Sequence, residues 1–408
     1  MRRNLIIILV CSSIVFRLFT PFRLYISGGL ALSMLIPVVA LYTLGGLYKN
    51  RRFYMAGLVS GIPLFLSYIG VEYFDGYLPD SIGLMFAISC MEYYLSSNDE
   101  KFAKYTLYAT FVSLCLLSII STPILLTSPG LNRMVMSMKA EGQNIPLISY
   151  FTIEYSNVHA VPILVMPLFF LYQHLSRKWH KVIVLVAIVT LYVTTILSNA
   201  STPMFMLFIY IFFLWLYNSK QSIEKNFLKI GGVLLLIFAV LGSGAIPSIL
   251  RAIQPYLTGT MQARRIDEVI FFLETGETSG DIESREELYG SSIDTFLSHP
   301  FSLEYSNNNI GHHTYLLDHL AAMGLIFFAP FAILLYRRYL RPMKWMKAGK
   351  VYYIMAFSAF LLLAFMKNFF VATSAMFIVP TFIIYIERHL INKNHVNKNI
   401  YQKSGKCA

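Results

Sequence analysis

The chain has 408 residues, of which 56% are hydrophobic and 13% are charged, and its formal net charge is +12. Soluble domains carry roughly 25% charged residues, so this composition excludes an ordinary soluble domain. The apolar runs at 182–197 and 231–241 are continuous, which excludes a transmembrane β-barrel, because barrel strands alternate apolar and polar residues. The composition predicts an all-α, polytopic integral membrane protein.

Apolar segments recur along the whole sequence. A hydrocarbon core about 30 Å thick requires roughly 20 residues of helix, and about twelve transmembrane helices are predicted. No small-x-small cleavage site follows the first run, so we expect it to be retained as a span. The predicted spans are 4–19, 25–46, 53–71, 79–96, 103–123, 157–175, 181–198, 202–217, 228–246, 314–336, 351–366 and 369–386.

Lysine and arginine are unevenly distributed over this topology. The side that holds both termini carries most of the 33 basic residues, and the opposite side carries most of the 21 acidic ones. Because cytoplasmic loops are enriched in Lys and Arg, both termini are predicted in the cytoplasm. The charge therefore indicates membrane anchoring and contact with anionic membrane lipids, and no nucleic-acid partner is needed to explain it. The four cysteines are scattered and indicate neither a disulfide framework nor a metal site.

Two outer connections are long, 123–156 and 245–313. They divide the chain into a bundle of nine spans (1–244), a large outer loop (245–313), spans ten to twelve (314–386) and a basic cytoplasmic tail (387–408). Within the large loop, 263–274 and 283–298 have apolar residues at helical spacing and are predicted as amphipathic helices at the outer membrane surface. Long structured loops usually carry function.

Ionisable residues cluster where the tenth span begins. If the helix starts near His312, then His312, Tyr315 and His319 share one face, with His313 beside them. Asp318 would lie more than a turn below the surface, where an ionisable group is costly unless it lines a polar cavity. An interfacial polar belt is the alternative, but the density of these groups favours a functional site.

Arginine gives the second indication, because several arginines on the outer side run against the positive-inside bias. Arginine binds phosphate oxygens through a planar fork, so an outer cavity for a lipid diphosphate would need such groups. Two alternatives stay open: Arg264 and Arg265 would pair with acids on their own helix, and Arg285 would be a solvated charge among neighbouring glutamates. The outer arginines are Arg133, Arg251, Arg264, Arg265 and Arg285.

No metal or other cofactor is predicted. Asp281 and Glu283 form an Asp-x-Glu pair of a kind that can hold a divalent cation beside a diphosphate, but such pairs arise readily by chance in an acidic loop. The sequence contains no phosphate-cradling glycine-rich loop, no nucleophile elbow and no His-Glu-x-x-His motif. This argues against nucleotide-driven pumping and the common protease chemistries.

Four short stretches, 284–289, 296–301, 312–316 and 322–326, resemble the signature region of the O-antigen ligase/polymerase superfamily, the Wzy-type polysaccharide polymerases and their ligase relatives. Arg285 falls on the family's arginine, His312 on its histidine and His313 on the following asparagine. Asn157 resembles the family's asparagine at the start of a span. A Ser-Arg pair common in the family is absent from 198–203, so a second phosphate-binding group is expected from Arg133, Arg264 or Arg265.

The resemblance implies a GT-C-like glycosyltransferase at the periplasmic face of a bacterial inner membrane. It would transfer a growing glycan from undecaprenyl diphosphate to a lipid-linked repeat unit, without a cofactor and with a chain-length regulator protein as partner. Arg285 would stabilise the departing diphosphate, and His312, or its neighbour His313, would orient or deprotonate the acceptor hydroxyl.

The alternatives are an O-antigen ligase and a lipid-linked oligosaccharide flippase or transporter. No repeat relates 1–200 to 201–408, and this argues against a transporter. The remaining predicted substrate-binding residues are Asn157, Tyr315, Asp318 and His319.

Overall fold

The computed structural model describes most of the chain. The described residues are 2–18, 29–49, 51–140, 144–217, 225, 228–229, 231–232, 245–257, 261–277, 279–366 and 381–391. Within these ranges all regular secondary structure is helical, so the all-α prediction is confirmed. The predicted span at 228–246 and most of the one at 369–386 lie outside the described residues.

Fourteen α-helices are described in these ranges, joined by short 3₁₀ turns. Two π-helical turns, Tyr336–Leu340 and Ile386–Ile391, occur near the C-terminal end of the described chain. The α-helices are α1 (Arg2–Leu18), α2 (Gly29–Thr43), α3 (Arg51–Tyr68), α4 (Leu78–Ser97), α5 (Glu100–Thr127), α6 (Leu131–Ala140), α7 (Tyr155–His174), α8 (Lys178–Leu197), α9 (Ser201–Leu216), α10 (Ala245–Ile253), α11 (Met261–Thr275), α12 (Asp281–Ser298), α13 (Tyr315–Leu335) and α14 (Lys350–Met366).

Within the described part of the chain, four helical stretches are long and apolar enough to cross a membrane: Glu100–Thr127, Leu147–His174, Lys178–Leu197 and Tyr315–Lys344. Helix α8 shows the pattern most clearly, because Val182, Leu185, Val186 and Val189 leave an exposed apolar stripe along it. Water would disfavour such a stripe, and lipid would not. These long apolar helices are compatible with a membrane protein. The predicted helices at 263–274 and 283–298 are confirmed as α11 and α12.

Several polar residues inside the apolar helices form local hydrogen bonds with the backbone. Thr106 and Thr110 are buried in α5, and each hydroxyl donates to the backbone carbonyl four residues earlier. Asp99 caps the start of α5 by accepting from the Phe102 amide at 2.9 Å. These local bonds allow polar side chains to be buried without an unpaired group, which would cost about 1–3 kcal/mol.

The helices give the bundle two chemically distinct ends. At the end we call the basic end, Arg3 pairs with Asp99, Arg338 pairs with the fully buried Glu92, and Glu387 accepts from the Lys347 and Gly349 amides. At the other, here the histidine end, helices α4, α7, α9 and α13 begin. Helices α4 and α13 each run from the histidine end to the basic end, so the two ends are separated by the length of these helices.

Helix α13 is broken at Gly324, where φ is 60° and ψ is 177°. The segment after α12 inserts at the break: the Leu325 amide donates to the Pro300 carbonyl at 2.8 Å, and the Glu304 amide donates to the Ala322 carbonyl at 3.2 Å. The span predicted at 314–336 is therefore two half-helices, not one continuous helix. The backbone of this segment forms hydrogen bonds with groups of α13 near the break. Where a membrane helix is interrupted, the freed backbone groups require such alternative partners.

Replacing Gly324 with alanine is expected to destabilise the protein by about 2 kcal/mol or more. The backbone angles at this position are essentially restricted to glycine, and an added Cβ would lie 2.6 Å from the Ser302 carbonyl oxygen. The measurement is thermal unfolding of the detergent-purified protein. Gly290→Ala is the matched control, because Gly290 lies within α12 and an added Cβ there meets nothing within 4 Å. Equal midpoints for the two variants would contradict the described break.

Candidate functional site

One carboxylate fixes the loop that carries the two adjacent histidines, here called the histidine loop (residues 307–314). Asp318 is fully buried and accepts from the Ser292 hydroxyl at 2.6 Å and from the Thr314 amide at 2.7 Å and hydroxyl at 3.1 Å. The Ser292 hydroxyl also accepts from the Gly311 amide at 2.9 Å. Asp318 thus joins α12, the histidine loop and the start of α13. Its predicted contact with substrate stays a prediction, because every bond described here positions protein groups.

Gly311 brings the histidine loop against the backbone of α12. A Cβ at this position would lie 1.9 Å from the Leu288 carbonyl oxygen, and real atoms cannot approach so closely. The close contact sets the distance between the loop and the face of α12 that carries Arg285 and Tyr289. Glycine at 311 is therefore a requirement of the packing.

The two adjacent histidines contact different parts of the protein. His312 has φ of 55°, its ring stacks on Tyr73 with centroids 5.3 Å apart, and its Nε2 lies 3.0 Å from the Asn307 carbonyl oxygen. The His313 ring instead lies against Tyr289 of α12, at 5.8 Å. Helix α13 begins at Tyr315, one residue after the predicted start of the tenth span at 314, so His312 lies before the helix and not on its face. The left-handed residue turns the chain, and this is why neighbouring side chains diverge.

His319 lies in an aromatic cage. Its Nδ1 is 3.2 Å from the Tyr73 hydroxyl, its Nε2 is 2.7 Å from the Tyr77 hydroxyl, and the Tyr315 ring lies 4.1 Å away. The cavity beside Tyr315 and His319 measures about 20 Å³, which is room for about one water molecule. Tyr73 contacts both His312 and His319, and Tyr315 contacts His319. The three residues predicted to share a face are therefore close together, and Tyr73, which was not predicted, connects His312 to the other two.

Arg285 lies on the same face of α12 as Tyr289, one helical turn away. Burial raises the pKa of Tyr289, and the positive charge of Arg285 opposes that rise. The Tyr289 hydroxyl donates to the Met366 carbonyl at the end of α14, at 3.3 Å. Among the described residues, no carboxylate lies within ion-pair distance of Arg285, although three glutamates flank it. Arg285, Tyr289 and His313 thus follow one another along a single face at the histidine end.

A second cluster surrounds the turn between α8 and α9 (residues 198–201, the α9 turn). Arg265 of α11 donates to the Ser201 hydroxyl at the first position of α9. The start of α6 is tied to the same turn, because the Asn132 side-chain amide donates to the Ser198 hydroxyl at 3.0 Å. Arg133 follows on α6, 6.0 Å from the Tyr155 ring centroid. Two of the arginines predicted to bind a diphosphate, Arg265 and Arg133, therefore lie around the α9 turn.

Arg264 and Asn157 complete the predicted set. Arg264 is paired with Glu268 on its own helix at 3.4 Å, which is the alternative that the sequence left open. Asn157 is buried in the first turn of α7, and its side-chain amide nitrogen has no hydrogen-bond partner in the described part of the chain. Buried amides nearly always have partners, so this donor is suited to an oxygen atom of a ligand.

No three metal-ligating side chains (His, Cys, Asp or Glu) converge among the described residues. Asp281 and Glu283 lie in the first turn of α12. The expectation of a metal-independent site therefore stays a prediction, and the activity assay below tests it.

Comparison with known proteins gives no further guidance. No family model, no curated protein and no solved structure matches the chain. Functional inference consequently depends on the short motifs and on the geometry of their residues.

Proposed function

We propose that the protein is an O-antigen or capsular polysaccharide polymerase. It transfers a growing glycan from undecaprenyl diphosphate to a lipid-linked repeat unit at the periplasmic face of a bacterial inner membrane. The observation that carries the proposal is the alignment of Arg285, Tyr289 and His313 along one face at the histidine end. A cation for a leaving diphosphate and a base for an acceptor hydroxyl are thus brought to one side of α12.

In the proposed reaction, the acceptor hydroxyl attacks the anomeric carbon of the donor glycan. The bond between that carbon and the diphosphate oxygen breaks, and the diphosphate departs with the electron pair. Arg285 stabilises the charge that develops on the leaving group, which is usually the largest single contribution to such catalysis. The hydroxyl proton passes to the histidine. The lipid diphosphate provides the driving force, so no nucleotide is required.

Of the two adjacent histidines, His313 is the better candidate for the base. Its ring lies against Tyr289, on the Arg285 side of the loop. His312 faces Tyr73 and contacts the Asn307 carbonyl, which suits a residue that holds the loop in shape. The motif resemblance favours His312 and the geometry favours His313. Separate substitution of His312 and of His313 distinguishes these two assignments.

Arg265 and Arg133 provide the second diphosphate-binding group in this proposal. Arg265 reaches the first residue of α9 from another helix, so a guanidinium lies near the segment where the family carries its own arginine. The α9 N-terminus adds a partial positive charge at the same place. Asn157 lies two residues after Tyr155, and its side-chain amide is suited to donating a hydrogen bond to a glycan hydroxyl or a phosphate oxygen.

The proposal includes the finer topology: about twelve spans, a periplasmic loop at 245–313, cytoplasmic termini and a chain-length regulator as partner. The segregation of charge supports the orientation. The ion pairs of Arg3 with Asp99 and of Arg338 with Glu92 lie at the basic end, as do the hydrogen bonds that Glu387 accepts from backbone amides. The positive-inside rule assigns this end to the cytoplasm.

The test is extension of a purified lipid-linked repeat unit by the purified protein in liposomes. We expect a ladder of longer products, formed equally with and without a metal chelator. Movement of labelled glycolipid across the bilayer without a change in its length would identify a transporter. Transfer of finished polymer to lipid A core, without lengthening, would identify a ligase. Loss of extension in chelator would reinstate Asp281 and Glu283 as metal ligands.

A further inference from the structure

A cavity of about 270 Å³ opens at the basic end of the bundle. This is near the lower limit of the roughly 300–1,000 Å³ typical of small-molecule sites. Four guanidinium groups and one indole ring surround it, over a floor of apolar side chains. The lining residues are Leu95, Leu334, Arg337, Arg338, Arg341, Pro342, Trp345 and Arg388.

The charge of this cavity is largely uncompensated. Arg338 pairs with the buried Glu92, and Arg388 donates to the Asn98 side-chain oxygen at 3.1 Å. Arg337 and Arg341 are exposed, and no carboxylate lies within ion-pair distance of either among the residues that the structure describes. The lining therefore contains four positive charges, and among the described residues Glu92 is paired with one of them.

Membrane topology alone does not require this convergence. The positive-inside rule concerns the number of basic residues near the membrane, and scattered side chains satisfy it. Here arginines from two separate segments, 337–341 and 388, face one cavity, whereas Lys344, Lys347 and Lys350 of the same connection do not line it. Arginine, with its planar fork, is the residue suited to binding phosphate oxygens.

Three of the four arginines that line the cavity lie in π-helical turns, and Arg341 directly follows one of them. Arg337 and Arg338 lie in Tyr336–Leu340, and Arg388 lies in Ile386–Ile391. The π-helix is rare and is frequently found at functional sites. Trp345 stacks under the Arg388 guanidinium, with the cation 4.8 Å from the ring centroid. The indole thus holds one guanidinium in place at the mouth of the cavity.

We propose that this cavity is a binding site for a phosphate-bearing anion, such as an anionic phospholipid headgroup or a soluble diphosphate, held by Arg337, Arg341 and Arg388. Its position where the helices reach the membrane surface gives a lipid headgroup direct access. The apolar floor formed by Leu95, Leu334 and Pro342 accommodates the glycerol part of such a lipid. The site is independent of the polymerase proposal, since it lies at the opposite end of α4 and α13.

The test uses Trp345 as the reporter. Phe replaces Trp179 and Trp215, which are 70% and 77% exposed, so that Trp345 is the remaining tryptophan of the three in the sequence. The protein is placed in nanodiscs of phosphatidylcholine that contain a small fraction of acyl-brominated phosphatidylglycerol. Bromine quenches tryptophan on contact. The matched disc contains unlabelled phosphatidylglycerol with the same fraction of brominated phosphatidylcholine.

We expect brominated phosphatidylglycerol to quench Trp345 emission much more than random contact at its mole fraction in the bilayer would. The R337Q/R341Q variant should lower this selectivity by about tenfold, the equivalent of about one lost charge-assisted contact. The matched control is R177Q/K178Q, which removes two exposed basic residues from the same end but outside the cavity. This control should keep the wild-type selectivity.

Inorganic diphosphate distinguishes the two sources of the anion. If it relieves the quenching, the site accepts a soluble diphosphate. If it does not, the site selects the lipid headgroup. The proposal is overturned if wild-type quenching follows the mole fraction and diphosphate leaves the emission unchanged. It is equally overturned if R337Q/R341Q keeps the wild-type selectivity.

Discussion

Replacing Arg285 with alanine is expected to lower the rate of glycan extension by about 10²–10³-fold and to leave the amount of protein in the membrane unchanged. The physical reason is that a leaving diphosphate develops charge in the transition state, and Arg285 has no carboxylate partner among the described residues to compete for its guanidinium. Folding should survive, since the side chain lies on a half-exposed helix face. The measurement is single-turnover extension of a purified lipid-linked repeat unit.

Two further variants sharpen the Arg285 experiment. Arg251→Gln is the matched control, because Arg251 is also an arginine of segment 245–313 but forms an exposed ion pair with Glu274, and such pairs contribute at most about 1 kcal/mol. Arg285→Lys keeps the charge but loses the planar fork, so we expect partial recovery. If Arg285→Ala extended the glycan at the same rate as Arg251→Gln, Arg285 would have no role in the mechanism.

Substitution of the adjacent histidines should have unequal effects. His313→Ala is expected to reduce extension by about 10²–10⁴-fold, the usual contribution of a general base. His312→Asn is expected to keep most of the activity. Asparagine tolerates the left-handed backbone that His312 adopts, with φ of 55°, so the loop can keep its turn. The measurement is the extension rate of each variant in liposomes, at matched protein content.

The opposite pattern of activities would assign the role of general base to His312. An active His313→Ala together with an inactive His312→Asn would show that the motif position, and not the geometry around Tyr289, identifies the chemistry. A thermal unfolding midpoint for His312→Asn close to that of the wild type is the control that the loop keeps its shape. Full activity in both variants would remove imidazole chemistry from the proposal.

Features with a short sequence period were predictable. The apolar spacing at 263–274 and 283–298 led to α11 and α12, which are observed at Met261–Thr275 and Asp281–Ser298. The neighbouring rings of Tyr315 and His319 followed in the same way, because residues four apart share a helix face. Local periodicity is a property of the residues themselves, so a single sequence is sufficient to find it.

Contacts between distant segments could not be predicted in this way. Tyr73 and Tyr77 contact His319 across more than two hundred residues, and Arg265 contacts Ser201 from a different helix. Such pairings depend on which helices pack together, and helical spacing carries no information on that point. The signal that was available is the run of tyrosines before α4, at positions 68, 73 and 77, an unusual density of hydroxyl groups beside a membrane helix.

Backbone exceptions were also missed, for a different reason. Gly324 was assigned to the interior of a span and His312 to a helix face, because both positions fit the helical pattern. Each adopts a positive φ instead, and the cause is tertiary: the segment at 300–304 enters the break at Gly324, and the α12 backbone presses on Gly311. The close approach of two backbones overrides the local preference.

The break in α13 bears on how a long lipid would meet this protein. Beyond Gly324, the α-helical course from Leu325 to Leu335 is about 17 Å long at about 1.5 Å per residue, and the π-helical turn Tyr336–Leu340 extends it by one turn. The total is less than the hydrocarbon thickness of about 30 Å. A bilayer beside a short apolar wall becomes thinner to match it. The locally thinned region of the bilayer would lie at the histidine end. A polyprenyl lipid that diffuses into this region would have its headgroup closer to the histidine-end residues, without moving out of its leaflet.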